Sequence, residues 1–154
     1  MITNVEELLT ARGDVLRQIR GQKVVDIWLA WFDEWNEVHT CSPVVLQLES
    51  GCLELWTIYV CEFSITWNTI NLSQAPFSWL DEPQGKTRWV NNSEPLLQNV
   101  KGKIIQDISI LAAGKTCNGI CFKLDDRNLV IQNGLDELVI ADSITYGPVA
   151  EKLV

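Results

Sequence analysis

The amino-acid sequence predicts an α+β fold in which one unit, a helix followed by a four-stranded antiparallel meander, occurs twice. Three observations predict it: the chain matches itself at a fixed shift, short apolar segments separated by turn residues follow that match, and a helix with recognisable end signals precedes each set of segments. We expect the two copies to pack into one β-sandwich or half-barrel, so that residues 1–154 form a single domain.

The internal match begins with "DVLRQIRGQKVVDIWL" (14–29), which aligns with "PLLQNVKGKIIQDISI" (95–110) at a shift of 81 positions. Four pairs are identical: Leu16/Leu97, Gly21/Gly102, Asp26/Asp107 and Ile27/Ile108. After a gap of five, residues 46–55 align with 122–131, and after a further slip of one, 62–66 align with 137–141. The sequence therefore predicts internal repeats at approximately 14–70 and 95–146, joined by a connector over 71–94.

Both copies carry the signals expected of a helix followed by strands. In the second copy, "KIIQDISIL", "GICFKL", "NLVIQ" and "DELVIADSI" have strand composition, and Asn133-Gly134 marks a turn before the last segment. Ser93 before Pro95 predicts a helix start in this copy. In the first copy Thr3 and Glu6 fit a capping box, and Gly13 is expected to divide the helix in two.

The segment "VVDIWLAWF" (24–32) has two interpretations. Its tryptophan spacing fits one face of a helix, but its alignment with "IIQDISIL" makes it a strand. As a strand, it places Trp28 on a face that can point outward, Trp31 on the opposite face, and Trp35 in the hairpin that follows. We favour the strand, with the helix as the alternative.

The tryptophans are the strongest candidates for a binding surface. Trp28, Trp56 and Trp67 align with polar residues of the second copy, which suggests that the first sheet is either covered or presents an aromatic surface to a partner. Covering by the connector, through Phe77, Trp79 and Trp89, is the interpretation we favour, because large exposed apolar patches are rare on monomers. The candidate binding residues are Trp28, Trp56, Trp67, Trp79, Trp89, Asp26 and Asp107.

Asp26 and Asp107 are included because they are the one acidic identity between the copies. Near a two-fold axis, equivalent carboxylates could face each other and support acid–base chemistry. The simpler interpretation, which we favour, is a solvated strand face or an acid that accepts hydrogen bonds from backbone amides at a sheet edge.

The single histidine and the cysteines offer two further kinds of chemistry. His39, Cys41, Cys117 and Cys121 could supply four metal ligands, but neither His-x-Cys nor Cys-x3-Cys is a zinc-ribbon spacing. A Cys–His nucleophile pair would require an unusual bend in a strand. We therefore expect reduced, mostly buried thiols, with no metal site, no catalytic residue and no cofactor.

Composition excludes several classes of function. Twenty acidic and twelve basic residues give a net charge of −8, which argues against nucleic-acid binding and permits a basic protein partner. Charged residues interrupt every apolar run, so no membrane span is predicted, and the first residues lack the pattern of a secretion signal. We expect a cytoplasmic location.

These observations favour a small acidic cytoplasmic module that binds or regulates another protein, in the manner of an inhibitor or immunity protein, without catalysis. Its surface would be the aromatic first sheet with an acidic rim, and a homodimer is compatible with the sequence. The alternative is a module that binds a small ligand, or an enzyme, with a pocket between the two repeats. A flat acidic surface would favour the first function, and a tryptophan-lined pocket with converging carboxylates would favour the second.

Overall fold

A computed structural model of the protein describes residues 1–76, 87–91 and 93–154. Over these residues the chain is a small α+β fold with two antiparallel sheets and one long helix. The predicted fold class is confirmed at this level. Phe77 and Trp79, which we expected to cover the first sheet, lie outside the described residues.

The long helix, α1, spans Val5–Ile19 and is capped by Asn4. The Asn4 side-chain oxygen accepts a hydrogen bond from the Glu7 backbone N–H at 3.2 Å. The cap lies one residue after the predicted Thr3, whose carbonyl oxygen instead accepts a hydrogen bond from the Cys117 N–H at 2.7 Å. The start of α1 is thus fixed by contact with the second half of the chain.

The prediction that Gly13 divides α1 is wrong, since the helix is continuous through this buried residue. A glycine inside a helix costs about 1 kcal/mol relative to alanine. Leu8, Leu16 and Ile19 are fully buried on the same helix, and each such side chain stabilises the fold by about 1.5–3 kcal/mol. Burial of these side chains outweighs the unfavourable propensity of the glycine.

The second helix, α2, spans only Pro95–Val100. Proline occupies its first turn as predicted, but the N-cap is Glu94 rather than Ser93 and makes no side-chain capping hydrogen bond. The Ser93 hydroxyl is buried and has no hydrogen-bond partner among the described residues. Gly102 follows the helix with a φ of +81°, a left-handed conformation that favours glycine.

The first sheet contains six strands, and the segment "VVDIWLAWF" is the first of them, so the strand interpretation is confirmed. The strands are β1 (Val24–Phe32), β2 (Glu37–Val38), β3 (Val44–Leu48), β4 (Cys52–Ile58), β5 (Glu62–Trp67) and β6 (Thr87–Val90). The predicted meander is present as β1-β3-β4-β5, with β2 and β6 each paired to β1. All pairings are antiparallel.

The second sheet contains five antiparallel strands in the order β10-β9-β8-β7-β11. They are β7 (Asp107–Ala113), β8 (Thr116–Lys123), β9 (Asn128–Asn133), β10 (Leu138–Ala141) and β11 (Ala150–Leu153). The meander again has four strands, but β11 adds a fifth, paired with β7. The prediction of four strands in each sheet was therefore too low. The strands β6 and β11 lie outside the predicted repeats, and they pair with β1 and β7, the first strands of the two meanders.

Both sheets and both helices contribute to one hydrophobic core. In β1 the core residues include Ile27 and Leu29, and in β8 they include Ile120 and Phe122. Because side chains alternate along a strand, the residues between them point to the other face of each sheet. In the first half that outer face carries Trp28 and Trp56.

The two halves meet where residues 21–24 run beside residues 102–105. Lys23 and Ile104 form an antiparallel bridge, and these residues are related by the shift of 81. The flanking bonds run from Gly21 N–H to Ile105 O, from Gly102 N–H to Val24 O, from Val24 N–H to Lys103 O and from Ile105 N–H to Gln22 O, at 2.7–3.0 Å. These four bonds form two pairs. Adding 81 to the number of the donor and subtracting 81 from the number of the acceptor converts one bond of each pair into the other, so the contact is symmetric between the two halves.

A second correspondence lies in the turn after the second strand of each meander. The Leu48 N–H donates to the Gly51 carbonyl, and the Leu124 N–H donates to the Arg127 carbonyl, both at 2.8 Å. These residues are related by the shift of 76 at which the sequence aligns. The shift of 76 that aligns the two sequence segments therefore also relates the hydrogen bonds of these two turns.

Candidate functional site

Two turns, one from each sheet, form an exposed apolar surface. Tyr59 and Val60 in the β4–β5 turn are 77% and 56% exposed, and Leu135 in the β9–β10 turn is 68% exposed. The Asp136 N–H donates a hydrogen bond to the Val60 carbonyl at 3.0 Å, which joins the two turns directly. We call residues 59–61 and 134–136 the paired turns.

The backbone of the paired turns adopts a conformation that their residue types disfavour. Tyr59, Leu135 and Asp136 have φ values of +48°, +58° and +71°. The left-handed region costs an ordinary L-residue about 1–2 kcal/mol, so surrounding contacts must hold each residue there. Both strained apolar side chains point to solvent instead of contributing to the core.

The buried side chain of Asn133 supplies these contacts. Its amide nitrogen donates to the carbonyls of Tyr59 and Glu62, both at 2.8 Å, and its amide oxygen accepts from the Asp136 N–H at 2.9 Å. Asn118, also buried, donates to the Cys61 carbonyl at 3.2 Å and to the Asn133 carbonyl at 3.0 Å. Two asparagines of the second sheet therefore fix the turn of the first sheet.

A cleft of about 610 Å³ lies beside the β4–β5 turn, with Tyr59 and Glu62 in its wall. His39 and Cys41 line the same cleft, together with Trp56. Glu62 is the one acidic residue among the described lining residues, which also include His39 and Met1.

The charge near the paired turns is negative. Asp136 and Glu137 are exposed in the β9–β10 turn, and Glu62 follows the β4–β5 turn. Neither segment 57–62 nor segment 134–138 contains lysine or arginine. An apolar centre with an acidic edge is complementary to an apolar partner surface that carries basic residues.

The predicted aromatic surface is divided between the two faces of the first sheet. Trp28 and Trp56 lie on the outer face with Trp89, whereas Trp67 packs against the core, as Trp31 does. The indole N–H of Trp28 donates to the Gln47 side chain at 3.0 Å, and that of Trp56 donates to the Thr66 hydroxyl at 2.7 Å. The tryptophans do not form one surface, because the side chains of Trp56 and Trp67 point to opposite faces of the first sheet.

The outer face is covered in part by residues 69–76, which are anchored on a buried carboxyl group. Glu54 is fully buried and accepts hydrogen bonds from the Thr69 N–H at 2.6 Å and the Ile70 N–H at 3.0 Å. The Thr66 hydroxyl also donates to Glu54. Residues 71–76 belong to the predicted connector 71–94, whereas Phe77 and Trp79, through which we expected the connector to cover this face, lie outside the described residues.

Asp26 and Asp107 do not form a carboxylate pair. Asp26 lies 2.9 Å from the ammonium group of Lys101, and Asp107 lies 3.8 Å from the guanidinium group of Arg20. The shift of 81 relates Asp26 to Asp107 and Arg20 to Lys101, so the two contacts are equivalent. Each aspartate joins the sheet of one half to the helix end of the other, which is a structural role.

The structure does not bring the four proposed metal ligands together. In the part of the chain that it describes, no group of three or more His, Cys, Asp or Glu side chains is arranged to hold a metal ion. His39 is buried, stacks near Phe32 with ring centroids 4.3 Å apart, and shares a hydrogen bond with Ser42 at 3.0 Å.

The cysteines differ sharply in environment. Cys41 and Cys61 are exposed, while Cys117 and Cys121 are buried. Burial raises the pKa of the Cys117 thiol to about 12, and burial followed by the charge of Glu151 raises the pKa of Cys121. Both buried cysteines are therefore poor nucleophiles.

Sequence reasoning did not identify Tyr59, Val60 or Leu135. A signal was present, since "IYVCE" places two large apolar residues between strands, and "NGLDE" places a leucine inside a turn. Turns normally favour glycine, asparagine, aspartate, serine and proline. Apolar residues at such positions indicate either a contact with another element or an exposed surface, and the structure shows the second.

Comparison of the chain with protein-family models, with curated proteins and with solved structures gives no match. In the described parts of the chain, no helix combines the length and the apolar character needed to cross a lipid bilayer.

Proposed function

We propose that the chain is a small acidic protein-binding module without catalysis, of the inhibitor or immunity type, and that its paired turns contact a basic partner. The observation that carries this proposal is the exposure of Tyr59, Val60 and Leu135 on one surface built from two bonded turns. Aromatic and aliphatic side chains at the centre of a surface with a polar rim are typical of protein interfaces.

The rigidity of this surface supports the proposal. Tyr59 and Leu135 have strained backbone conformations and gain no core packing from them, and strained positions cluster at functional sites. The asparagine contacts hold both turns before any partner arrives, which reduces the ordering entropy that binding would cost. The acidic residues Glu62, Asp136 and Glu137 would accelerate encounter with a basic surface.

We further infer that the two halves are copies of one duplicated unit, with repeats near 14–70 and 95–146, and that their sheets pack as a sandwich. The symmetric hydrogen bonds between residues 21–24 and 102–105 support the duplication, as do the equivalent pairs Asp26–Lys101 and Asp107–Arg20. The core shared by both sheets supports their packing.

The cleft beside Tyr59 supports a second candidate, a small-ligand or enzymatic module, but its described lining residues all lie within 1–62, so it is not the predicted pocket between the two repeats. His39, Cys41 and Glu62 line the cleft from the first half, and Thr3, which is bonded to Cys117, adds a contact to the second sheet. A partner's basic side chain entering the cleft would use the same groups. The two candidates differ in whether Leu135 is needed, because Tyr59 lines the cleft as well.

The test replaces the two strained apolar residues by asparagine, which tolerates the left-handed conformation. The double variant Tyr59→Asn/Leu135→Asn should retain the fold and lose any partner that binds the paired turns. A matched control, Val25→Asn/Leu153→Asn, removes two exposed apolar side chains elsewhere. Each purified protein is used as bait in extracts of the native organism, and stoichiometric captured proteins are identified by mass spectrometry.

We expect a basic protein that the wild type and the control retain, that the double variant loses, and that is released as salt rises. Capture of the same proteins by all three baits would contradict the proposal. Sedimentation analysis of the three proteins alone shows whether the surface instead forms a homodimer, in which case only the double variant would be monomeric.

A further inference from the structure

A groove of about 260 Å³ lies beside the paired turns. Its wall contains Cys61 and Leu135 of the paired turns, together with segment 146–149, which precedes β11. Ala113, exposed at the end of β7, adds a small apolar side chain. The volume is below the roughly 300–1,000 Å³ of sites that bind small organic molecules, so the groove suits one side chain rather than a whole ligand.

The two amide side chains in the groove wall, Asn118 and Asn133, already bond within the protein. The Asn118 nitrogen donates to the Cys61 carbonyl at 3.2 Å, and its oxygen accepts from Gln132 at 2.9 Å. Both oxygen and nitrogen of the Asn133 amide are bonded to the paired turns. A polar group that entered the groove would lose its bonds to water and find these amides occupied, which costs free energy. The groove therefore favours an apolar occupant.

The side chain of Gln132 holds the opposite part of the wall. Gln132 is fully buried, its oxygen accepts from the Thr145 N–H at 3.0 Å, and its nitrogen donates to the Tyr146 carbonyl at 3.0 Å. Because Gln132 also bonds to Asn118, one network of buried amides fixes both the paired turns and the segment before β11. The groove is thus shaped before any partner binds, which lowers the entropic cost of binding.

The ring of Tyr146 extends the apolar surface of the paired turns. A Cβ atom at Gly134 would lie 2.6 Å from this ring, so the ring lies against the β9–β10 turn only because residue 134 is glycine. Tyr146 is 38% exposed, and Leu135 in the same turn is 68% exposed. The exposed apolar surface therefore continues from the paired turns to the far wall of the groove.

The segments around the groove are acidic. Segments 57–62 and 132–149 contain no lysine, arginine or histidine, whereas segment 113–118 contains one basic residue, Lys115. The acidic residues of the first two segments are Glu62, Asp136, Glu137 and Asp142. An occupant with basic residues on both sides of its apolar side chain is complementary to this charge.

We propose that the groove receives one large apolar side chain, such as leucine, from a basic segment of the partner protein. This inference rests on the proposed function and adds the place where the central apolar residue of the partner binds. Side chains that contribute most to binding lie in such preformed, desolvated pockets near the centre of an interface. An acidic segment is disfavoured, because its carboxylates would lie beside Glu62 and Asp136.

The experiment titrates the isotope-labelled full-length protein with three acetylated and amidated pentapeptides and follows its backbone N–H signals by NMR. The peptides are Lys-Lys-Leu-Lys-Lys, Lys-Lys-Ser-Lys-Lys and Glu-Glu-Leu-Glu-Glu. We expect the basic leucine peptide to shift the signals of Leu135, Gly147 and Val149. The serine peptide should bind roughly tenfold more weakly or worse, because a buried leucine side chain is lost. The acidic peptide should also bind more weakly, most clearly at low salt.

A variant that fills the groove tests its location. Ala113→Phe places a ring in the groove and should abolish the shifts that depend on leucine. The matched control is Ala11→Phe, the same substitution at an exposed position of α1, which should bind like the wild type. The NMR spectrum of each variant also reports whether it is folded. If Ala113→Phe is not folded, Leu135→Asn removes part of the apolar wall and should weaken binding.

Absence of binding by the basic leucine peptide, equal binding of the three peptides, or shifts confined to other parts of the protein would each overturn this proposal. Unchanged binding by folded Ala113→Phe would do the same. Failure of these titrations rejects the groove alone if Tyr59→Asn/Leu135→Asn still loses the captured partner. Retention of that partner by the double variant rejects the proposed function itself.

Discussion

The first and second halves carry side chains of different polarity at aligned positions on the outer faces of their sheets. At a shift of 76, Glu54 and Trp56 of the first half correspond to Val130 and Gln132 of the second. In each half one buried polar group anchors the segment that follows the meander: Glu54 bonds residues 69 and 70, and Gln132 bonds residues 145 and 146.

The comparison shows that similar strand frames can expose different surfaces. Apolar residues form the core side of the strands in both halves. The buried polar side chain, Glu54 or Gln132, determines where the segment after the meander crosses the outer face. In the first half that segment leaves a cavity beside Trp56, and in the second half it covers Gln132. The following experiments test this comparison, in order of decreasing effect.

The largest expected difference lies between Cys41, in the loop before β3 of the first sheet, and Cys117, in β8 of the second. Burial raises the pKa of Cys117 to about 12 from 9.0, which lowers its thiolate fraction at neutral pH roughly a thousandfold. In the native protein an aromatic disulfide reagent should modify the exposed Cys41 and Cys61 rapidly and leave Cys117 unmodified. Peptide mass spectrometry after timed quenching measures this. Equal rates for Cys41 and Cys117 would contradict the assigned burial.

The buried amide of Asn133 should contribute far more to stability than Thr57, its counterpart in the first half. Asn133→Ala removes four hydrogen bonds, three at 2.8–2.9 Å and one at 3.3 Å, and leaves partly buried carbonyls without this donor, so we expect a loss of about 3 kcal/mol in the free energy of unfolding. Thr57 donates one long hydrogen bond, at 3.5 Å, and Thr57→Ala should cost less than about 1 kcal/mol. Urea denaturation measures the free energy of unfolding of both variants. Equal losses would contradict the expected difference between Asn133 and Thr57.

The equivalent ion pairs should differ in strength. Asp26 is 17% exposed, lies 2.9 Å from Lys101 and accepts a hydrogen bond from Asn91, whereas Asp107 is 45% exposed and lies 3.8 Å from Arg20. We expect Asp26→Asn to cost about 1 kcal/mol and Asp107→Asn less than about 0.5 kcal/mol. Denaturant midpoints at low and high salt provide the measurement. The expectation fails if the Asp107–Arg20 pair contributes as much as the less exposed Asp26–Lys101 pair.

The smallest effect concerns the turn at Asp126, whose counterpart in the first half is the uncharged Ser50. Hydrogen bonds from Arg127 and then Lys103 lower the pKa of the Asp126 carboxyl from 3.8. Because the folded pKa is lowered, this contribution to stability is present above the unfolded pKa and is lost as pH falls through the folded pKa. Lys103→Met should raise the pKa of Asp126, which an NMR titration detects. An unchanged titration would show that Lys103 does not contribute.

Much of the fold was predictable because it depends on local sequence. The strands of both meanders follow from apolar alternation and turn residues within a few positions. Gly13 was misinterpreted because helix propensity is a weak local signal that core packing overrides. The additional strands β6 and β11 were missed because their pairing partners lie far away in the chain.

The candidate site was less predictable for the same physical reason. The aromatic richness and the acidic charge could be read from the chain alone, but the placement of Trp56 and Trp67 on opposite faces depends on the register of β4 with β5. The burial of Glu54 beneath a covering segment, and the contact of Asn133 with a turn more than seventy residues away, arise only when the chain is folded. The exposure of Tyr59 and Leu135 follows from that contact, because a left-handed turn built from such residues is stable only where distant hydrogen bonds offset its strain.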